Sequence, residues 1–401
     1  MPSSSSATTT ALAPVIKVNG SALNERWLDQ LTVLRIDRAL GTVGRTTLRF
    51  VDVGYGLSSS RLFRLGAEVQ IEKYGGRDPL FKGEVTGLSL EQSMDAVPEL
   101  IVTVDDPAHR LSRGTRTRTF LHASYADVVR TLGGDNGVSV TVTARQGLGT
   151  VHEYQLQACS DLAYLNHIVE RTGTSWWIGN DGKLTVDSPA DVAGASISLS
   201  LGESLQRFSV RASDLHPRKV AVTGWDPDQQ QQVTGNASST RSAESDFVAD
   251  FPGRRAASGP VLAQVADHSP LNDTEATHLA SALLTEAATS AVVARGTCVV
   301  EGSLGPAASV QVTDAGPASG TYRVTAVQHV YSAAGFLTHF TAGPYRPSGL
   351  VDLVSPRRTE ATGSLDGLVP GVVTDVADPD KIGRVKVKYP AAGGEIDSPW
   401  A

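Results

Sequence analysis

Only two cysteines, Cys159 and Cys298, occur in 401 residues, which excludes a disulfide scaffold and any CxxC metal or redox motif. The two thiols read as buried and free, with a single bridge as the alternative. Basic surplus is also missing: 35 Lys+Arg stand against 42 Asp+Glu, a net charge of −7. So acidic a chain is a poor binder of nucleic acid or anionic membrane, where basic surface supplies most of the attraction. No run approaches the ~18 apolar residues of a membrane span. Residues 1–20 lack a basic n-region and an uninterrupted apolar h-region, so they read as a disordered polar tail rather than a secretory signal. The expectation is a soluble protein made in the cytoplasm, without stable membrane insertion.

Catalytic signatures are absent as well. The chain has no G-x-x-x-x-G-K-[ST], no H-E-x-x-H and no G-x-S-x-G. Gly54-Tyr55-Gly56 lacks the third glycine of a dinucleotide fingerprint. His329 and His339 lie on successive strands and could face each other, but no third metal ligand can be placed beside them. The acidic pairs Asp105-Asp106 and Asp378-Asp380 have the composition of glycosidase carboxylates, yet each sits beside a proline in a turn, where Asp is common. Arg110, Arg113, Arg116 and Arg118 form the only basic cluster, either a grip for an acidic partner or a solvated edge. No catalytic, cofactor-binding or metal site is expected.

What the chain does have is period-two patterning. Aromatics at 6%, against 39 glycines and 20 prolines, favour many short strands and turns. From Leu31 onward, Thr47–Val53, Ala67–Lys73, Leu80–Leu90 and Glu99–Asp105 alternate apolar and polar residues, as half-buried strands do. At about 150 residues per domain, the length allows two or three domains.

Helices enter in the middle. Ser124 with Asp127 caps one that Gly133-Gly134 should close. Ser160 opens a second, with Asp161 in its first turn, Leu162, Leu165, Ile168 and Val169 on one face and Gly173 at its C-terminal cap. Gly179-Asn180-Asp181-Gly182 then signals a hairpin between two strands. Trp176 and Trp177 read as one ring in the helix–sheet core and one at a subunit contact. Lys219–Trp225 is another strand, 226–260 is rich in Gln, Ser, Asp, Ala and Gly, and Gln229–Gln232 reads as solvated loop. Asn272 with Glu275 caps a third helix before several more strands, and 343–366 is punctuated like a linker.

One echo stands out. Val69-Gln70-Ile71 is followed by Val85-Thr86-Gly87-Leu88, and Val310-Gln311-Val312 by Val324-Thr325-Ala326-Val327. Both segments have an aromatic residue, Phe81 or Tyr322, entering the second strand. The pair reads either as two copies of one β-domain or as matches arising by chance among β-strands.

The final stretch carries a resemblance. Gly371-Val372-Val373, Asp378-Pro379, Gly383-Arg384-Val385-Lys386-Val387 and Ser398-Pro399-Trp400-Ala401 resemble the opening of the oligomer-binding barrel of VgrG-like spike and baseplate-hub proteins of contractile injection systems, which occur in type VI secretion, phage tails and extracellular contractile particles. Phe81–Thr86, Ser160–Leu165 with Gly173, and Gly320–His329 with Gly335–Phe340 resemble that family's hub half. The likeness runs over roughly residues 20–401 and is faintest at 226–270.

The resemblance implies a mainly β fold with inserted helices: two tube-protein-like β-barrel hub domains with an α/β insertion, then the start of an OB-fold. The corresponding divisions are a tail at 1–20, a first barrel at 21–110, an insertion at 111–200, a second barrel with one helix at 201–345, a linker at 346–366 and an incomplete OB-fold at 367–401. That last stretch falls short of the roughly 60 residues such a barrel needs, so a longer natural chain is expected. The implied function is a homotrimeric, non-enzymatic adaptor between a sixfold inner tube and a threefold needle. Its partners would be the tube protein, baseplate proteins and a spike tip or effector cargo, with assembly in the cytoplasm and export as part of a released particle. Rival readings are a cell-wall-degrading tail enzyme and an OB-type nucleic-acid-binding module. The acidic balance and the lack of an aromatic stacking platform disfavour the second.

Overall fold

The computed structural model describes residues 13–75, 79–143, 147–188, 196–212, 219–226, 231–238, 247, 262–265, 272–289, 292–343, 371–388, 398 and 400. The first unit contains β1 (Val15–Val18), β2 (Ser21–Ala22), β3 (Leu31–Ala39), β4 (Arg45–Val51), β5 (Glu68–Glu72), β6 (Pro79–Ser93) and β7 (Ala96–Asp105). They pair antiparallel in the order β3-β4-β7-β6-β5-β1-β2. Alternation sends Leu34, Ile36, Leu48, Phe50, Val69, Ile71, Val85, Val102 and Val104 to one face. All nine are buried in a single cluster, so the sheet curls over its own apolar face as an open barrel. Burying each such side chain contributes about 1.5–3 kcal/mol.

The insertion follows: β8 (Thr115–Ser124), α1 (Tyr125–Asp135), β9 (Val140–Val142), β10 (Val151–Ser160), α2 (Asp161–Thr172), β11 (Ser175–Ile178) and β12 (Leu184–Asp187). Ser124 and Asp127 make the expected capping box on α1. The Ser160 hydroxyl accepts from the Ala163 amide on α2, and Gly173 ends that helix at φ 66°. Gly133-Gly134 does not close α1, which runs on to Asp135. The glycine at 133 serves packing: a Cβ there would collide with Val140 Cγ2 and lie 2.8 Å from the Val138 carbonyl.

Next in the chain are β13 (Ser196–Ser200), β14 (Leu205–Ala212), β15 (Lys219–Asp226), β16 (Gln231–Ser238), β17 (Leu262–Val265), α3 (Asp273–Thr289), β18 (Val292–Val299), β19 (Ser309–Thr313), β20 (Gly320–Ser332), β21 (Gly335–Ala342), β22 (Val372–Asp375) and β23 (Lys386–Lys388). Of these, β14-β18-β21-β20-β19, with β13 added parallel to β19, form a second unit around its own core.

The two units are one design used twice. Val69 opposes Gly83 as Val310 opposes Tyr322. The Val85 amide donates to the Ala67 carbonyl as that of Val324 does to Ala308, at 2.9 and 2.8 Å. A bulge falls between Val85 and Gly87, and another between Val324 and Ala326. A second pair of bulges, Leu31/Val33 and Leu205/Arg207, sits opposite Phe50 and Cys298. Chance strand matches would not reproduce register and irregularities across three pairs of ladders, so the echo is a duplication, although its two aromatic residues are not equivalent: Phe81 opposes Ile71, whereas Tyr322 opposes Val310. Where Leu48 fills the first core, its counterpart is Gly296, whose missing side chain makes room for the ring of Phe340.

Several expectations are corrected. The tail reading of 1–20 is too long, because Val15–Val18 is a strand with Ile16 and Val18 in the first core. Ser196–Ser200 belongs to the second unit rather than to the insertion. Gln229–Gln232 is not all loop: Gln231 and Gln232 open β16, which pairs with β15. With β17 and α3 these strands bury a small core of their own, so α3 is not simply the second barrel's helix. The inner face of β16 offers Val233, Gly235 and the half-buried Ala237, too weak a signal to read. Gln229, Gln230 and the linker at 346–366 lie outside the described residues. At 367–401, β22 and β23 form a short antiparallel hairpin. The Asp378 carboxylate gathers the loop between them by accepting from the amides of Asp380, Ile382 and Arg384.

Two outcomes follow from this packing. Gly133→Ala should cost about 1–3 kcal/mol through overpacking, read as a lowered urea midpoint with an unchanged m-value. His329 is fully buried, and burial pushes its imidazole down to about 3. The unfolded chain protonates that ring near pH 6.5, so its stabilising effect is complete above that pH and is lost progressively as the pH falls towards 3. The acid-side loss for this one group is about 1.4 kcal/mol per pH unit. His329→Leu should flatten the corresponding limb of a stability–pH curve measured by denaturant titration between pH 4.5 and 7.

Candidate assembly interface

One edge of β20 serves two neighbours. Its Gly320–Arg323 half pairs with β19, and its Ala326–Tyr331 half pairs antiparallel with β3, fusing both units into a 13-stranded sheet. Across this seam Val327 opposes Arg38, His329 opposes Ile36 and Tyr331 opposes Leu34. On the outer face, the Gln328 side-chain amide donates to Asp37 Oδ1 at 2.7 Å.

Arg38 pins the seam from below. Its buried guanidinium donates to the Leu80 carbonyl at 3.2 Å, to the Ile178 carbonyl at 2.6 Å and to Asn180 Oδ1. Asn180 in turn donates to the Gly302 carbonyl at 2.8 Å. One side chain thus ties β3 to β6, to the β11–β12 turn and, through that turn, to the loop before β19. Burial lowers its pKa to about 10, with the charge of Asp106 acting the other way. Nearby, Leu40 packs with Ala307 and Trp177, and its amide donates to the Thr325 carbonyl at 2.9 Å.

The duplicated counterparts of this seam are open. On β6, residues up to Glu84 pair with β5, and no described strand occupies that edge beyond them. Leu88 and Leu90 are 41% and 42% exposed, whereas the equivalent Val327 and His329 are 3% and 0%. β14 ends the sheet. Its Phe208 and Val210 are only partly buried, although the equivalent Leu34 and Ile36 are wholly inside. Two unpaired apolar edges of this kind are a liability that native proteins cover.

The residues singled out in the sequence lie elsewhere. Trp176 is in the insertion core with its Nε1 donating to Asn166, while Trp177 meets Leu40 and Ala307 of the same chain rather than a subunit contact. Arg110 pairs with Glu84, and Arg113 reaches His109 at 2.7 Å. Arg116 and Arg118 pair with Asp135 and Asp161. Three of the four arginines are therefore matched by acids within the chain, and Arg113 by a histidine. His329 contacts Thr338 and His339 contacts Thr297, from opposite faces of the sheet, so the two rings do not meet. Asp105 binds Arg45 and Thr86, and Asp106 accepts from the Gly44 and Ala108 amides. Cys159 and Cys298 are not joined in a disulfide, and burial pushes the Cys298 thiol up to about 12. Among the described residues no His/Cys/Asp/Glu group could hold a metal, and no helix is long and apolar enough to cross a membrane. The open edges escaped sequence reading; the exposed Leu88 and Leu90 on an alternating strand were their only signal.

The fold is shared with phage-tail and secretion-spike proteins. The chain superposes on a 43 kDa tail protein of prophage MuSo2 from Shewanella oneidensis at TM-score 0.63 and 13% identity, covering 83% of this chain and 98% of that one. An E. coli component of the type VI secretion system, described as similar to the T4 bacteriophage tail proteins gp27 and gp5, gives TM-score 0.60 at 14% identity, covering 93% and 88%. A chain from the Francisella PdpA–VgrG complex gives TM-score 0.53 at 9% identity, covering 97% of this chain and 65% of that one. The VgrG-like hub resemblance therefore holds at the level of fold. No curated protein matches the sequence itself. A family model does: residues 8–332 match the one described as the Alg8 N-terminal domain, and the chain belongs to that family.

Proposed function

We propose that the protein is a structural hub of a contractile injection system, three copies of which join a sixfold inner tube to a threefold needle. The observation that carries the reading is the duplication, with its shared register and bulges. Three chains with two like units each supply six similar modules for a tube to rest on, while the chain itself repeats three times. The likeness to tail and secretion-spike folds supports this, and the PdpA–VgrG complex among them supports a hub that also carries another protein. Its partners would be the tube protein, baseplate proteins and a spike tip or effector, with assembly in the cytoplasm and release as part of a particle.

The work is mechanical. Thrust from a contracting sheath would pass along continuous β-ladders and the Arg38 clamp, and no covalent step falls to this chain. Carboxylates that could have formed a hydrolase pair are instead committed to Arg45, Thr86 and turn amides.

Light scattering on the purified chain should give about three times 42.1 kDa. A stable monomer at micromolar concentration overturns the trimer. A peptidoglycan suspension should keep its turbidity when the protein is added; clearing above a buffer blank would restore the hydrolase reading.

A further inference from the structure

The internal seam is a template for an external one. β20 and β6 occupy equivalent places in the two units, as do β3 and β14, and the first members already pair at their far halves. Transferring that register to the open counterparts leaves no adjustable parameter. Resting on the hub reading, we infer that the free half of β6 in one copy adds antiparallel to the free edge of β14 in a second copy, with Leu88 opposite Ala212, Ser89 opposite Arg211, Leu90 opposite Val210 and Gln92 opposite Phe208.

Three observations favour a second copy of this chain as the occupant. The side chains that would turn inward, Leu88, Leu90, Phe208 and Val210, are the ones left exposed or half-exposed, while their equivalents in the internal seam are buried. Charge fits on the outer face: Glu91, which is 57% exposed and touches Arg49 of its own chain at 3.3 Å, falls opposite Ser209, between Arg207 and Arg211 of the partner strand. Geometry also excludes a self-paired edge as the full solution, because β14 on β14 would leave β6 open. A head-to-tail contact satisfies both edges of every copy, and it closes a ring when the rotation permits.

The two seams are not equal. Ala212 stands where Arg38 stands in the internal seam, so the outer contact has no guanidinium reaching across to a neighbouring turn. It is held by the ladder and the four apolar side chains.

Cross-linking tests the register. Ser89 and Arg211 take the places of Gln328 and Asp37, whose side chains touch. A chain carrying both Ser89→Cys and Arg211→Cys should oxidise to covalent species up to the trimer. The parent with its native cysteines should not, nor should a Ser89→Cys/Ser209→Cys chain, which is two residues out of register. Leu90→Glu should abolish the oligomer while leaving the far-UV circular dichroism unchanged. An oligomer of the expected mass that fails to cross-link at 89/211, or that survives Leu90→Glu, overturns this pairing and leaves the hub reading standing. A parent chain that is monomeric overturns both.

Discussion

Everything in this architecture turns on one requirement, that the backbone donors and acceptors along a strand edge find partners. β20 meets it by dividing its edge between β19 and β3, and that division places the two units side by side. The seam fixes where Arg38 lies, and Arg38 fixes the hairpin of the insertion through Ile178 and Asn180. Besides the shared strand, the two units meet where Val300 and Phe336 enter the first core and where Lys73 pairs with Glu301. Leaving the equivalent edge of β6 open is the same requirement unmet, and it directs attention to what lies outside the chain.

A buried carboxylate network adds to the apolar packing of the insertion. Asp161 is buried yet receives Arg118 at 3.0 Å, Gln157 at 2.6 Å and Asn136 at 2.7 Å. Removing one partner from so enclosed a carboxylate leaves an uncompensated charge, which is why such networks break as units. Of the four arginines that look in sequence like a surface for an acidic partner, Arg110, Arg116 and Arg118 are paired with acids of the same chain, with Arg110 on Glu84 bracing the insertion against β6, while Arg113 is exposed.

Much of the fold could be read from local pattern because the decisive signals were local. Alternation marked β4 to β7, Ser124 and Ser160 marked the helix starts, and the Val-Gln and Val-Thr pairs marked the duplicated hairpins. What escaped depended on distant neighbours. β1 is four residues beside a polar tail and is recognisable only once Ile16 is seen against Ile71. Gly133 looked like a stop because its role is to let Val140 approach. β16 is a strand whose buried face is a valine and a glycine under a helix. The candidate interface was the least legible part, since an edge is open or closed by virtue of what another segment does.

The two units differ at their outer edge. The outer neighbour of β5 is β1, running antiparallel, whereas the outer neighbour of β19 is β13, running parallel. The two modules are thus alike through five strands and opposite in polarity at the sixth. Were six such modules to stand in a circle, the chain direction at the rim would alternate from one to the next. A ligand with six identical subunits would find half of those rim positions reversed and would have to bind on the common five-stranded body. A ligand with three subunits could key on the rim, so the direction of one short strand would decide which face of the ring counts to six and which to three.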